Sequence, residues 1–234
     1  MVRVLAFDVF GTVVDWHGSI VRHVQRIGLD VEPNEFALAW RAGYAPAMEK
    51  VRSGQLGWKR IDELHRMILD EIVDRFGLDL DDAARTRLNL IWHHLDPWPD
   101  SAPGLWRLKA SFTICTLSNG NIGLLTDMAK HAALPWDCIL SAEVFRHYKP
   151  DPQTYLGVCD VFGVKPEEML MVAAHKSDLE AASACGCRTA YIERPYEFGT
   201  SPEALARKDL ARDPRFDYHA VDIRDLARQL VPGG

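Results

Sequence analysis

Five short apolar runs constrain the fold of this chain more than any other feature. They are residues 3 to 8, Phe112 to Leu117, Ile139-Leu140, Met169 to Ala173 and Arg188 to Ile192. Each is too short for a helix. None alternates as a strand with one wet face does, so they read as strands buried on both sides of a parallel sheet. Helical patterns lie between the later runs. Asn121 to Ala132 is one, ending near Leu134-Pro135. A second begins at Asp151-Pro152, a capping residue with proline at the first helical position. A third, Lys176 to Ala184, stops at Gly186. Strands alternating with helices predict an α/β fold with a doubly wound, mostly parallel sheet.

Residues 18 to 95 interrupt that alternation with four helix-length segments, roughly 18–28, 33–51, 57–76 and 81–94, and no clear strand. Pro97, Pro99 and Pro103 mark the return. The organisation predicted is therefore an α/β core of residues 1–15 and 96–234, with an inserted helical cap of residues 16–95. From Pro195 onward the chain reads as loop, with a closing helix over Asp222 to Leu230.

At 234 residues the chain can bury a full core without disulfides. Its net charge of −6 and lack of a basic cluster argue against nucleic acid as a partner. Five cysteines, an odd number with no C-x-x-C, read as free thiols in a reducing compartment. An acidic residue interrupts the short N-terminal apolar run, so no signal peptide is expected, and no stretch reaches membrane-span length. Those features place the expectation in the cytoplasm.

In open α/β sheets, functional groups gather beyond the carboxyl ends of the strands. Asp8 and Thr12 follow the first run, and Ser118 and Asn119 follow the second. His175, Lys176, Ser177 and Asp178 follow the fourth, and Lys149 precedes a helix in HYKPDP. If the strands are neighbours, these groups share one crevice. Each has a blander reading: Thr12 and Ser118 as turn or capping residues, Lys149 as a surface lysine, Asp178 as a helix-dipole partner. A buried Asp8, however, needs a cation, because leaving it unpaired costs several kcal/mol, and Lys149 is the candidate.

FDVFGT (7–12), LSNG (117–120), YKPDPQTY (148–155) and MVAAHKSD (171–178), in this order and spacing, resemble the haloacid dehalogenase superfamily over nearly the whole chain. The resemblance implies a Rossmann-like core with a helical cap, and Asp8 as a nucleophile forming a covalent ester or acyl phosphate that water then cleaves. Most members of the superfamily are phosphatases, with an acid two residues after the nucleophile and Mg²⁺ held by carboxylates. Here Phe10 takes the acid's position, and the last motif offers Asp178 without a second adjacent carboxylate. A halide leaves without a proton and without a metal, so these losses agree with the (S)-2-haloacid (type II) branch and with no cofactor.

LAWRAGY (38–44) resembles the dehalogenase cap segment that sends an arginine, here Arg41, into the site. What the resemblance implies is hydrolysis of short 2-haloalkanoic acids to 2-hydroxy acids with inversion at C2. Arg41 attracts the substrate carboxylate or holds the departing halide, Asn119 shares the halide site, Ser118 and Thr12 with nearby backbone N–H groups hold the carboxylate, and Tyr155 donates to the site. Lys149 keeps Asp8 ionised, and Asp178 orients Lys149 or helps activate water. Trp16, Trp40 and Trp58 are candidate pocket walls. Relatives are often homodimers, so a homodimer is an expectation without a readable interface.

The best-known pattern has Ser-Ser-Asn where this chain has Ala173-Ala174-His175. An imidazole thus replaces an amide, either as a loop hydrogen-bonder or as a group that positions water, activates it or serves the leaving group. Extra donors would suit fluoride, which puts fluoroacetate within reach. The alternatives are a Mg²⁺-dependent small-molecule phosphatase, a phosphonate-cleaving relative using Lys50 or Lys59, and a non-catalytic binding protein. No G-x-S-x-G and no zinc-ligand pattern occurs, and His93-His94 reads as structural.

Overall fold

The first strand, β1 (Val4–Phe7), is the centre of the molecule. The computed structural model describes residues 1–231; residues 232–234, the end of the expected core, lie outside the described ones. β1 pairs in parallel with β2 (Thr113–Ser118) on one side and β4 (Met169–Ala173) on the other. β3 (Cys138–Ser141), β5 (Arg188–Ile192) and β6 (Tyr218–Ala220) extend the sheet to the order β3-β2-β1-β4-β5-β6, all parallel. Successive residues of β1 face opposite ways. Leu5 and Phe7 join one apolar cluster, Val4 and Ala6 the other, and all four are buried. Burial on both faces explains why the strands read as unbroken apolar runs.

The helices are α1 (Trp16–Arg26), α2 (Pro33–Ala42), α3 (Tyr44–Arg52), α4 (Ile61–Arg75) and α5 (Asp82–Asn89), the last followed by a 3-10 segment, Leu90–His94. Then come α6 (Ser101–Lys109), α7 (Ile122–His131), α8 (Ala142–Phe145), α9 (Pro152–Phe162), α10 (Lys176–Ala184), α11 (Pro202–Leu205) and α12 (Ile223–Leu230). The segment expected as one helix over 33–51 is two. Pro46 has no N–H to give the carbonyl of Ala42, and the chain breaks at Gly43. A side chain at Gly43 would also meet Ile68 of α4 at 2.4 Å. This break places Arg41 at the end of α2 and Tyr44 at the start of α3.

Four elements were not anticipated: α6, the one-turn helices α8 and α11, and β6. Pro103 lies in the first turn of α6, where a proline costs no helical hydrogen bond, rather than in a connecting loop. β6 is three residues long with His219 at its middle, too short for a readable period. Among the described residues no helix is long and apolar enough to cross a membrane, and all five cysteines are free.

The helices between β1 and α6 share one apolar cluster with a face of the sheet, through Trp16, Trp40, Leu64, Ile68 and Trp92. His65 lies within it, stacked on Trp92 at 4.2 Å, with neither ring nitrogen hydrogen-bonded. Burial, with a smaller contribution from Arg41, pushes its pKa down to about 3. The folded protein therefore holds His65 neutral, while the unfolded chain takes up a proton near pH 6.5. That stability is complete above pH 6.5 and drains away as pH falls toward 3. His65→Phe should reduce the loss of unfolding free energy between pH 7 and pH 5 by about 2 kcal/mol, read by urea titration at each pH.

Candidate active site

The strand order reverses direction between β1 and β4, and the crevice beyond their carboxyl ends is where such sheets bind ligands. The backbone N–H of Asp8 still donates to Val172 of β4, at 3.0 Å, so the sheet itself fixes this residue. Its side chain leaves the last rung of the ladder, 6% exposed. Lys149 Nζ donates to Asp8 Oδ1 at 2.9 Å. Thr12 Oγ1 donates to Oδ2 at 2.6 Å, and His175 Nδ1 lies 3.0 Å from the same oxygen. Burial would raise the Asp8 pKa. The Lys149 ammonium and His175 outweigh it and hold the carboxyl well below the usual carboxylate range.

Lys149 joins two carboxylates. Its ammonium also contacts Asp178 Oδ2, while Tyr155 Oη donates to Asp178 Oδ1 at 2.6 Å. Burial alone would lower the Lys149 pKa, but Asp178 and Asp8 raise it above its ordinary value. The backbone N–H of Lys149 donates to Asn119 Oδ1 at 2.7 Å, so the β2 turn and the Lys149 loop are tied together. Asn119 Nδ2 faces Met48 Sδ of α3 at 3.3 Å.

His175 is gripped from behind as well. Its Nε2 lies 2.9 Å from Glu197 Oε1. Glu197 is completely buried, and Lys208 Nζ donates to its Oε2 at 2.6 Å and to the carbonyl of Ala174 at 2.8 Å. Trp16 Nε1 lies 3.3 Å from Oε1. Burial opposes charge on both members of the pair, yet mutual attraction prevails. His175 is pushed up to about 9, and Glu197, with Lys208 helping, is held at about 2. Gly11 makes room for this carboxylate: it has φ +82°, and a Cβ there would lie 2.4 Å from Glu197 Oε1.

These groups surround a cavity of about 180 Å³, lined by Asp8, Phe10, Arg41, Tyr44, Asn119 and Lys149, with Pro150, Tyr155, His175, Ser177 and Asp178 completing the wall. It is smaller than the ~300 Å³ at which drug-sized pockets begin. The Arg41 guanidinium stacks over Tyr44 at 4.2 Å and Trp16 at 5.7 Å. Among the described residues no carboxylate lies within ion-pair distance of it, and its charge is free to meet an anion in the cavity. Phe10 packs edge-on against Trp92 at 5.8 Å, so no acid stands at its position.

The structure brings together Asp8, Phe10, Arg41, Asn119, Lys149, Tyr155, His175 and Asp178 around the cavity. Thr12 and Ser118, expected to hold substrate, are not in its lining. The Thr12 hydroxyl is spent between Asp8 and the Ala174 N–H, which donates to it at 2.9 Å. Ser118 is fully buried, and its Oγ accepts from the Gly120 N–H at 3.1 Å, shaping the turn that presents Asn119. The tryptophan walls are corrected too: Trp16 lies behind Arg41, Trp40 is core, and Trp58 stacks on Tyr148 at 5.0 Å. Lys50 and Lys59 stay outside the lining, with Lys59 paired to Glu63. His93 bridges Asp62 and Asp127, a structural role. Sequence reasoning missed Tyr44, Glu197 and Lys208. The slight signal for Glu197 is a lone carboxylate between two aromatics, Tyr196 and Phe198, soon after a strand.

The residues around Asp8 do not fit a divalent cation. The Lys149 ammonium fills the space between the two carboxylates that would face one, and among the described residues no cluster of three or more His, Cys, Asp or Glu side chains is set to hold a metal.

A family profile described as haloacid dehalogenase-like hydrolase matches residues 2–186. The curated (S)-2-haloacid dehalogenase 4A of Burkholderia cepacia is 32% identical over 209 residues, covering 86% of this chain and 86% of its own. Among solved structures, an L-2-haloacid dehalogenase superposes with a TM-score of 0.93 at 45% identity, covering 99% of this chain and 100% of its own. A defluorinating L-2-haloacid dehalogenase gives a TM-score of 0.90 at 45% identity, covering 98% of this chain and 95% of its own.

Gly11→Ala tests the Glu197 support. A positive φ costs a side-chain-bearing residue about 1–2 kcal/mol, and the new methyl group pushes Glu197 off His175. The melting temperature should drop, and the His175 imidazole, followed by NMR, should titrate below about 9, because a carboxylate that raises its pKa has moved away.

Proposed function

The chain belongs to the haloacid dehalogenase-like hydrolases, and from that premise we propose that it hydrolyses short 2-haloalkanoic acids to 2-hydroxy acids through an ester on Asp8. One observation carries the reading: a buried carboxylate, kept ionised by Lys149 and His175, faces a small cavity whose other wall presents the unpaired Arg41 guanidinium. A monoanionic substrate placed by Arg41 exposes its halogen-bearing carbon to Asp8. Asp8 attacks from behind, the C–O bond forms, and the halide leaves with the bonding electrons. Asn119 and Arg41 are the donors nearest to hand for the departing anion. Water then cleaves the ester at the Asp8 carbonyl. Only the first step touches C2, so an (S)-2-haloacid gives an (R)-2-hydroxy acid.

Phe10 supports a halide over an alkoxide leaving group, since an alkoxide needs a proton that phenylalanine does not supply. Neutralisation of Asp8 and Asp178 by an ammonium supports chemistry without a metal. In this reading Asp178 and Tyr155 hold Lys149, Thr12 orients Asp8, and residues 16–95 act as a cap on the core of 1–15 and 96–234, contributing Arg41 and Tyr44 to the cavity. The compact volume and the number of donors support acceptance of fluoroacetate.

Halide release from chloroacetate, fluoroacetate and (S)-2-chloropropionate should persist in excess EDTA and vanish in Asp8→Asn. A single turnover in H₂¹⁸O should place the label on Asp8 rather than on the product. Label in the product alone, or release that stops on chelation and returns with Mg²⁺, would remove the ester reading.

A further inference from the structure

The cleavage of an aspartyl ester needs a group that takes a proton from water, and the carboxylate usually considered for such a task is poorly placed here. Both oxygens of Asp178 already accept, one from Tyr155 and one from the Lys149 ammonium. Lys149 itself is protonated and occupied on both sides. His175 differs from both. It lines the cavity, its Nδ1 lies 3.0 Å from Asp8 Oδ2, and its Nε2 is committed to Glu197 at 2.9 Å. That commitment fixes the tautomer: Nε2 carries a proton toward Glu197, and Nδ1 is the nitrogen that exchanges one with the cavity. A nucleophile, an imidazole beside it and a buried carboxylate orienting the imidazole form the arrangement used by acyl-transfer enzymes.

We infer that His175 is the base that takes the proton from the water cleaving the Asp8 ester, with Glu197 as its positioning residue and Lys208 holding Glu197 in place. The inference rests on the aspartyl ester proposed above. In the resting enzyme His175 stands between two carboxylates, Asp8 and Glu197, and is protonated on both nitrogens. Lys149 on the far side of Asp8, Asp178 on α10 and Lys208 behind Glu197 complete the charged groups around it. Esterification removes the Asp8 charge and its part of that support, and the Nδ1 proton departs to solvent through the cavity. Water then adds to Cγ of Asp8 as one of its protons moves to Nδ1. The tetrahedral adduct collapses by breaking the Cγ–O bond to the substrate oxygen, which takes the second water proton. Asp8 returns ionised, His175 returns protonated, and each turnover yields one halide, one hydroxy acid and one proton.

The test is rapid quenching with chloroacetate, followed by intact-protein mass and halide assay, on wild type, His175→Asn and Glu197→Gln. Asparagine keeps a donor for the ester carbonyl but takes no proton. The expected result for His175→Asn is one halide released per site with ester formed, and hydrolysis slowed at least ~100-fold and far more than ester formation, so the adduct accumulates. Glu197→Gln keeps the imidazole and should show the same burst with hydrolysis slowed by roughly tenfold. A merely structural role would slow both steps together and overturn the inference. So would hydrolysis at the wild-type rate in either variant without adduct. If one variant fails to fold, judged by its melting curve, the other carries the same split between the half-reactions. Adduct absent from wild type and both variants, with no halide released, overturns the ester reading itself and the inference with it. An ester seen in wild type with hydrolysis unchanged in the variants overturns only the assignment to His175.

Discussion

The Lys149 ammonium, shared between Asp8 and Asp178, is the contact on which the rest of the site depends. Three charged side chains are removed from water together, and removing any one would strand the others in a medium where an isolated charge costs several kcal/mol. The neighbouring structure can be understood as the support for that contact. The sheet delivers Asp8, the Asn119 side-chain oxygen accepts from the Lys149 backbone N–H and pins it, and Tyr155 from α9 fixes the second carboxylate. Such a cluster is weak evidence of stability, and its worth lies in keeping the Asp8 carboxylate ionised while dry.

Asp8 is served by a second charged chain, running His175, Glu197, Lys208 and back to the Ala174 carbonyl. It closes a ring between the loop after β4 and the chain beyond β5, so one carboxylate is held by cations on both of its oxygens. Nearby, Arg194 pairs in bidentate fashion with Asp100 and donates to the Thr12 carbonyl at 2.8 Å. The segment from Arg194 to Lys208 thus braces the Asp8 loop, although it contributes none of the cavity's lining.

Much of this was legible in the sequence because it is local. Met169 to Ala173 has the bounds of its strand because full burial writes itself as uninterrupted apolar residues, and Arg188 to Ile192 has the bounds of β5, whose burial begins after the exposed Arg188. Asp8 and Asp178 stand in short motifs just beyond strands, and Lys149 in one just ahead of α9, where order along the chain predicts convergence. Other parts depend on meetings that no spacing encodes. Glu197 and Lys208 come from a segment without periodicity, and their partners lie far off in the chain. Thr12 and Ser118 have the right chemistry for a ligand, but backbone N–H groups claim their oxygens first. The tryptophans have the right size for walls, but size does not say which ring faces the cavity, and Phe10 and Tyr44 do.

The unpaired guanidinium of Arg41 carries a consequence for which guests the site admits. Around the cavity and directly behind it stand four cations, Arg41, Lys149, His175 and Lys208, against three carboxylates, Asp8, Asp178 and Glu197. These groups leave the pocket one positive charge out of balance, and a single negative charge restores it. A dianion such as a phosphate monoester overshoots, and a neutral ester or amide leaves the excess in place. Desolvation magnifies both errors. Selection by ionic state thus precedes any recognition of shape: the pocket discriminates by arithmetic before it discriminates by fit.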